Sequence, residues 1–408
     1  MSEKIQYWFY LQPYTFIFNG KTGPVVYNSI SGYYLKIVDE VSKELLHKLQ
    51  QPENGYCIPI TNAEANNEVV ASLIDEIRNS FSGDIIPLSE EDICRKPFIV
   101  PPILRLYNSV DTIKKEGGQA LGEVILRNLN EVTFFLPGHC NKNCRSCHKY
   151  NKQFIHCSNF EEQNLHYEDY LKLFNNLDAC GVNKVNLVIN DFRNPVFKLM
   201  WNNRHINSFK KKYILNALNL TDEVVSMFSP DDELSIYVND SFSIEALNSL
   251  KDLTYNLNIR WIHIVEDEYD MEKIDFTGNT SIIPFYNDNN LSFFENNIYL
   301  TMDDLLESPI RKQTIFRRQA LNENFFGKIF ILPSGDAYSN LNKAPLGNLK
   351  EIPLGQIVYN EFDDSKAWLL TRDAAEESCA ACANRYLCPS ISNYELAIRK
   401  TNLCHMMP

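Results

Sequence analysis

Between residues 130 and 310 the chain alternates short apolar, β-branched runs with helical stretches. This alternation constrains the fold more than any other feature. VTFFLP, VNLVI, KYILNAL, LSIYV, IRWIHIV and TSIIPFY each read as a strand. YEDYLKLFNNLDACG, stopped by Gly181, and SIEALNSLKDL read as helices among them. Strands separated by helices imply right-handed crossovers and a parallel sheet, hence an α/β fold. Six strands fall short of a closed eight-stranded barrel. In such sheets reactive groups sit at the carboxyl ends of strands and in the loops that follow.

A cysteine run occupies that position. Cys140, Cys144 and Cys147 form C-x3-C-x2-C directly after the first strand, and Cys157 follows ten residues later. Cys379, Cys382 and Cys388 form C-x2-C-x5-C, with Cys404 near the end, while Cys57, Cys94 and Cys180 stand alone. The start MSEKIQYWFYLQPYTF lacks the features of a signal peptide, and no apolar run approaches the roughly 20 residues of a membrane span. A cytoplasmic location is therefore expected. Stable disulfides are not, so eleven cysteines point to a metal or a cluster.

Each iron of a [4Fe–4S] cluster takes one external ligand, usually a thiolate. Three closely spaced cysteines on one loop hold three irons and leave the fourth open. A zinc knuckle is the alternative. Cys157 is expected to be structural; were it to reach the fourth iron, the cluster would be closed. The second group offers four ligands, enough for a fully ligated cluster or for tetrahedral zinc, but its x5 gap suits a zinc ribbon poorly.

The flanking blocks differ from the centre. Residues 1–97 read as a small α+β unit. Aromatic strands turn at Asn19-Gly20, one helix starts at Ser42, and a second carries Val69, Leu73, Ile77 and Phe81 on one face. Strands, helices and a closing strand suit a winged-helix-like module. Residues 98–129 form a linker entered through Pro97, Pro101 and Pro102. The alternating α/β block spans 130–315. In 316–408, GKIFILPSGDAYSN reads as a hairpin turned at Ser334-Gly335, before the second cysteine group. The net charge of −13 argues against nonspecific binding to nucleic acid or anionic membrane. Residues 1–96 alone carry eight basic against thirteen acidic side chains, which argues against a DNA-reading winged helix.

C-x3-C-x2-C after the first of six βα units resembles the radical S-adenosylmethionine (SAM) enzymes. The resemblance implies a partial (β/α)6 barrel whose open iron binds SAM, reductive cleavage of SAM, and hydrogen abstraction by the resulting 5′-deoxyadenosyl radical. The residue before the third cysteine, usually aromatic in that family, is Ser146. Where the family places Gly-Gly-Glu against the SAM amino group, this chain has Ile189-Asn190-Asp191. The resemblance implies SAM contacts from Asn190 and Asp191, and from Asn239 or Ser241 after the fourth strand.

The second group resembles the SPASM extension of peptide-modifying members of that family, which carries two auxiliary clusters. Asn340 and Ser392 stand where ligands of the first would be, whereas Cys379, Cys382, Cys388 and Cys404 match the second. One auxiliary [4Fe–4S] cluster is expected, with zinc as the alternative. YWFYLQPYTFIF, VVYNSISG, FSGDII, IFRRQALNENFFGKIFILPSGDAYSN and CPSISNYEL together resemble the "pseudo-radical-SAM" SPASM proteins of Bacteroidales double-glycine peptide systems. This resemblance implies a precursor peptide whose leader binds the N-terminal module, an external electron donor, and a crosslinked or epimerised product. It leaves a second reading open, a SAM-inactive, cluster-bearing partner that presents the leader to a second maturase.

Overall fold

The structure is a computed structural model and describes residues 5–88, 96–102, 125–140, 142, 144–157, 159–239, 244–274, 279–374 and 377–406. Cys94, Ser241 and linker residues 103–124 lie outside them. Through the first block run β1 (Ile5–Leu11), β2 (Thr15–Phe18), β3 (Val25–Asn28), β4 (Tyr34–Lys36), α1 (Glu40–Gln50), β5 (Cys57–Thr61), α2 (Asn62–Ala65), α3 (Glu68–Asn79) and β6 (Gly83–Pro87). They make two antiparallel sheets, β5-β1-β6 and the meander β2-β3-β4. Phe9 and Leu11 of β1 pack with Leu45, Leu46 and Leu49 of α1 and with Val70, Leu73, Ile74 and Ile77 of α3.

Two local expectations shift. Asp39, not Ser42, caps α1, its carboxylate accepting the Ser42 N–H at 2.7 Å. The buried face of α3 begins at Val70, and Val69 and Phe81 are exposed. The helix ends at Asn79, and Phe81 lies in the turn beyond it at φ 56°, so it no longer shares the helical face.

The meander does not stand apart. Phe16, Phe18, Val25 and Tyr27 share a core with Tyr386, Leu387 and Cys388. Gly20, in the β2–β3 turn, lies so close to Ala383 that a Cβ there would come within 2.4 Å of its backbone nitrogen. Lys21 N–H donates to the Ala381 carbonyl at 2.9 Å, and Arg385 to that of Asn19 at 2.9 Å. The first block is thereby fixed to the second cysteine group.

The central block contains β7 (Glu131–Phe135), α4 (Cys147–Tyr150), α5 (Tyr167–Ala179), β8 (Lys184–Val188), α6 (Pro195–Asn202), β9 (Lys210–Asn216), α7 (Asp222–Val225), β10 (Glu233–Val238), α8 (Ile244–Leu253), β11 (Ile259–Val265), α9 (Glu268–Glu272) and β12 (Thr280–Pro284). The six strands pair in parallel and in sequence order. Val132, Phe134, Val185, Leu187 and Leu215 face the helical layer. Phe135, Val188, Ile214, Tyr237 and Ile262 face the other way, where Tyr150 and Phe154 from the cysteine loop fill the space. The Tyr150 ring meets Phe285 edge-on at 4.6 Å, and Phe154 stacks on Tyr237 at 5.7 Å.

The last block adds α10 (Leu291–Asn297), α11 (Met302–Leu306), α12 (Lys312–Ala320), β13 (Lys328–Ile331), β14 (Asp336–Tyr338), β15 (Gly347–Asn348), α13 (Leu354–Asp363), α14 (Glu377–Ala380) and α15 (Asn393–Ile398). β13 pairs in parallel with β7, so the hairpin extends the parallel sheet to nine strands. The reason lies in its pattern: Ile329 and Ile331 enter the same core as Val132 and Phe134. Among the described residues no helix is long and apolar enough to cross a membrane.

Candidate functional site

The chain leaves β7 through Leu136, Pro137 and Gly138, then enters the first cysteine loop. Cys140, Cys144 and Cys147 line one cavity of about 400 Å³ with Cys157, Asn159, Asn216 and Asn219. That volume lies within the range of small-molecule sites. Lys142 and Arg145 at its rim are exposed, a local excess of positive charge in an acidic chain. Residues 156, 157, 159 and 160 wrap back over the loop. The Cys140 N–H donates to Asn159 Oδ1 at 3.0 Å, and Gly138 N–H to the Phe160 carbonyl at 3.3 Å. Asn159 in turn directs its backbone N–H at the Cys147 sulfur.

These contacts set the thiols' chemistry. Burial raises the Cys147 thiol, while the Asn159 N–H opposes the shift and Cys140 adds to it. Cys157 is driven well above the ordinary thiol range, first by burial and then by Cys147, Cys144 and Cys140. Ligation by metal is what makes thiolates of buried thiols. Asn239 is buried; its amide donates to Cys144 Sγ at 3.4 Å, and its Oδ1 has no partner.

The strand-end residues are arranged differently from the resemblance. Asn190 and Asp191 lie at the end of β8 but are not among the described residues lining the cavity. The Asn190 amide donates to the Gly138 carbonyl at 3.5 Å. Asp191 Oδ1 accepts the Arg193 N–H at 2.9 Å, closing its own loop. A Cβ on Gly138 would sit 2.4 Å from that of Asp191, so the two strand ends meet in close contact. The cluster's donor set fits this cavity.

The second group is gathered as well. Cys379, Cys382, Cys388 and Cys404 all line a cavity of about 280 Å³ with Arg372 and Glu395. A parallel bridge between Leu300 and Cys404 brings the chain end to it. Arg372 is half-buried, donates to Cys379 Sγ at 3.6 Å, and pairs with Glu395 at 2.9 Å. Burial pushes the Cys388 thiol up to about 12. Four thiols, one cation and one cavity fit a fully ligated cluster. Neither group is drawn tightly enough for a single ion: among the described residues no three His, Cys, Asp or Glu side chains could hold one.

Asn159, Asn216 and Arg372 had no sequence signal, since none occupies a motif, and Glu395 showed only the capping pattern Ser392-x-x-Glu395. Arg317 and Arg318 both pair with Glu323, at 2.7 and 2.8 Å. The lysine run 210–212 is only partly a solvated face. Lys211 lies over the Phe209 ring at 4.5 Å, and Lys212 pairs with Glu233 at 3.4 Å.

No family model and no curated protein matches this chain. Solved structures of Streptococcus suis SuiB are similar to it along nearly its whole length. SuiB bound to precursor peptide SuiA gives a TM-score of 0.48 at 12% identity, covering 98% of this chain and 100% of that one. SuiB alone gives 0.42 at 13% identity, covering 97% and 100%. SuiB bound to S-adenosylmethionine gives 0.43 at 12%, covering 97% and 100%. Likeness at these values does not by itself establish a shared activity.

Proposed function

We propose that this chain is a radical SAM enzyme that modifies a ribosomally made precursor peptide. One observation carries the reading: Cys140, Cys144 and Cys147 converge on one cavity at the carboxyl end of the first parallel strand. A [4Fe–4S] cluster held there, with SAM, supplies hydrogen abstraction from a residue of the peptide, leading to a crosslink or an epimerised centre. The protein's own part is positioning. Asn239 orients Cys144, Asn159 orients Cys147, and Tyr150 and Phe154 close the space beneath against water. In this reading residues 1–97 bind the leader, and Cys379, Cys382, Cys388 and Cys404 hold an auxiliary [4Fe–4S] cluster that returns an electron.

Asn190 and Asp191 stand where the family has Gly-Gly-Glu and do not line the cavity, which favours the second reading, a cluster-bearing partner that presents the leader to another maturase. Electron paramagnetic resonance of the anaerobically reconstituted, reduced protein separates the two. The enzyme reading expects SAM to change one of two cluster signals. Signals indifferent to SAM support the partner. Replacing Cys140, Cys144 and Cys147 with Ala is expected to abolish modification and leave peptide binding intact.

A further inference from the structure

The enzyme reading has no use for Cys157, yet Cys157 is built into the first site. It lines the same cavity as Cys140, Cys144 and Cys147. The segment that carries it is tied to the cysteine loop at four points. Cys147 Sγ lies 4.0 Å from the Cys157 carbonyl, Asn159 holds both Cys140 and Cys147, and Phe160 bridges Gly138. From the other side the Asn216 backbone N–H points at the Cys157 sulfur. His156 Nδ1, 2.6 Å from the Cys157 carbonyl, fixes the residue's backbone. Cys57 offers the contrast: it too is buried, but it sits in the N-terminal sheet away from both cysteine groups.

We propose that Cys157 supplies the fourth thiolate of the [4Fe–4S] cluster held by Cys140, Cys144 and Cys147 in the resting protein. The proposal rests on the reading that those three residues hold such a cluster. On ligation the Cys157 S–H bond breaks and its proton passes to water in the cavity. The Cys157 Sγ–iron bond replaces an iron–water bond, and no electron changes hands.

The test uses the full chain, anaerobically reconstituted and then exposed to ferricyanide as a one-electron oxidant. A cluster with three protein ligands sheds its open iron and gives a paramagnetic [3Fe–4S] centre, whereas a fully ligated one resists. Wild type is expected to give little of that signal, and Cys157→Ala and Cys157→Ser several-fold more. Equal conversion in wild type and both variants overturns the assignment. The auxiliary cluster signal in Cys157→Ser reports that the variant is folded. A variant with Cys140, Cys144 and Cys147 all changed to Ala distinguishes the two failures. If it loses about four irons per chain while the Cys157 variants behave as wild type, only the Cys157 assignment fails. If it retains all its iron, the cluster reading beneath the proposal fails.

Discussion

The side-chain amide of Asn340 donates to the side-chain carbonyl of Asn393 at 2.6 Å, joining the end of the β13–β14 hairpin to the first turn of α15. Asn340 is 1% exposed, and its own carbonyl accepts from the N–H and the amide of Asn342, at 2.8 and 3.0 Å. Asn342 continues the chain to the Lys152 carbonyl at 2.6 Å, in the first cysteine loop. Ser392 serves as the cap of α15, with Glu395 completing the box. The two positions where the SPASM resemblance would place ligands thus hold a satisfied polar network. Asn340→Ala removes three hydrogen bonds from a buried position and is expected to cost about 2 kcal/mol. Thermal unfolding should begin a few degrees lower, with iron content unchanged. Loss of iron in this variant would mean that a cluster sits here after all.

The four thiols of the second group are expected to bind about four irons per chain. Cys388→Ser should remove them and leave those of the first group. Cys388 also belongs to the core that joins the N-terminal meander to the last block, with Phe16, Phe18 and Leu387. Loss of the metal should therefore loosen the docking of residues 15–36 and not only the cysteine loop. Hydrogen exchange of β2 and β3 in the iron-free protein, compared with the loaded one, measures this. Unchanged protection would separate the cluster from the docking.

The elements that could be read in advance were those with a strong period. All six parallel strands follow from alternating apolar runs, and the cysteine spacing placed both groups. What could not be read depends on contacts between distant segments. Glu361 is fully buried and accepts from Ser339 and Ser365 and from the N–H groups of Lys366, Ala367 and Trp368. In sequence it is one more polar residue on a helix. The parallel pairing of β13 with β7 joins residues nearly 200 apart, and a hairpin signal carries no information about its outer neighbour. The phase of α3 was missed because two adjacent valines fit either face, and only the helix end at Asn79 decides between them.

Arg372 places a cation against a proposed cluster ligand, 3.6 Å from Cys379 Sγ. Positive charge and N–H donation at sulfur stabilise the reduced, more negative cluster and so raise its potential. Removing Arg372 alone strands the buried Glu395 carboxylate, which is strongly destabilising. The paired change Arg372→Met with Glu395→Gln avoids that. It is expected to shift the auxiliary potential to a more negative value, read by redox titration, with iron content kept. A potential that stays put would assign the ion pair to structure alone.

His263 on β11 is 8% exposed, and its Nε2 has no partner. Burial, with Lys251 adding to it, lowers its pKa to about 4. The unfolded chain takes up this proton near pH 6.5, and the folded one only near 4. Between these values the unfolded state binds more protons, so stability falls as the pH drops. The contribution is on the order of 2 kcal/mol across the window and is absent above pH 7. In His263→Leu the dependence should flatten, so that the wild-type-minus-variant difference changes between pH 6.5 and 4 and is level above and below that window. A constant difference would show that His263 acts by packing alone.

The β5-β1-β6 sheet keeps β6 as an edge among the described residues, and a peptide can add there as a further strand. Ile86 of β6 is 39% exposed and Phe81, in the turn leading into it, 78%. Such side chains beside an open edge supply the pockets and contacts that give an added strand its selectivity. If the leader docks here, Ile86→Asp with Phe81→Ser should weaken precursor binding at least tenfold, or about 1.4 kcal/mol. Unfolding temperature should barely move, because neither side chain is buried. Val38→Asp, at an equally exposed apolar residue away from this sheet, serves as the control and should bind as wild type. Because the meander is anchored to Cys388 and its neighbours, the docked leader would hold a fixed direction relative to the second cysteine group. A crosslink from a photoreactive residue in the leader to residues 81–87 would establish that direction. Crosslinks to β5 instead would move the docking edge to the opposite side of β1.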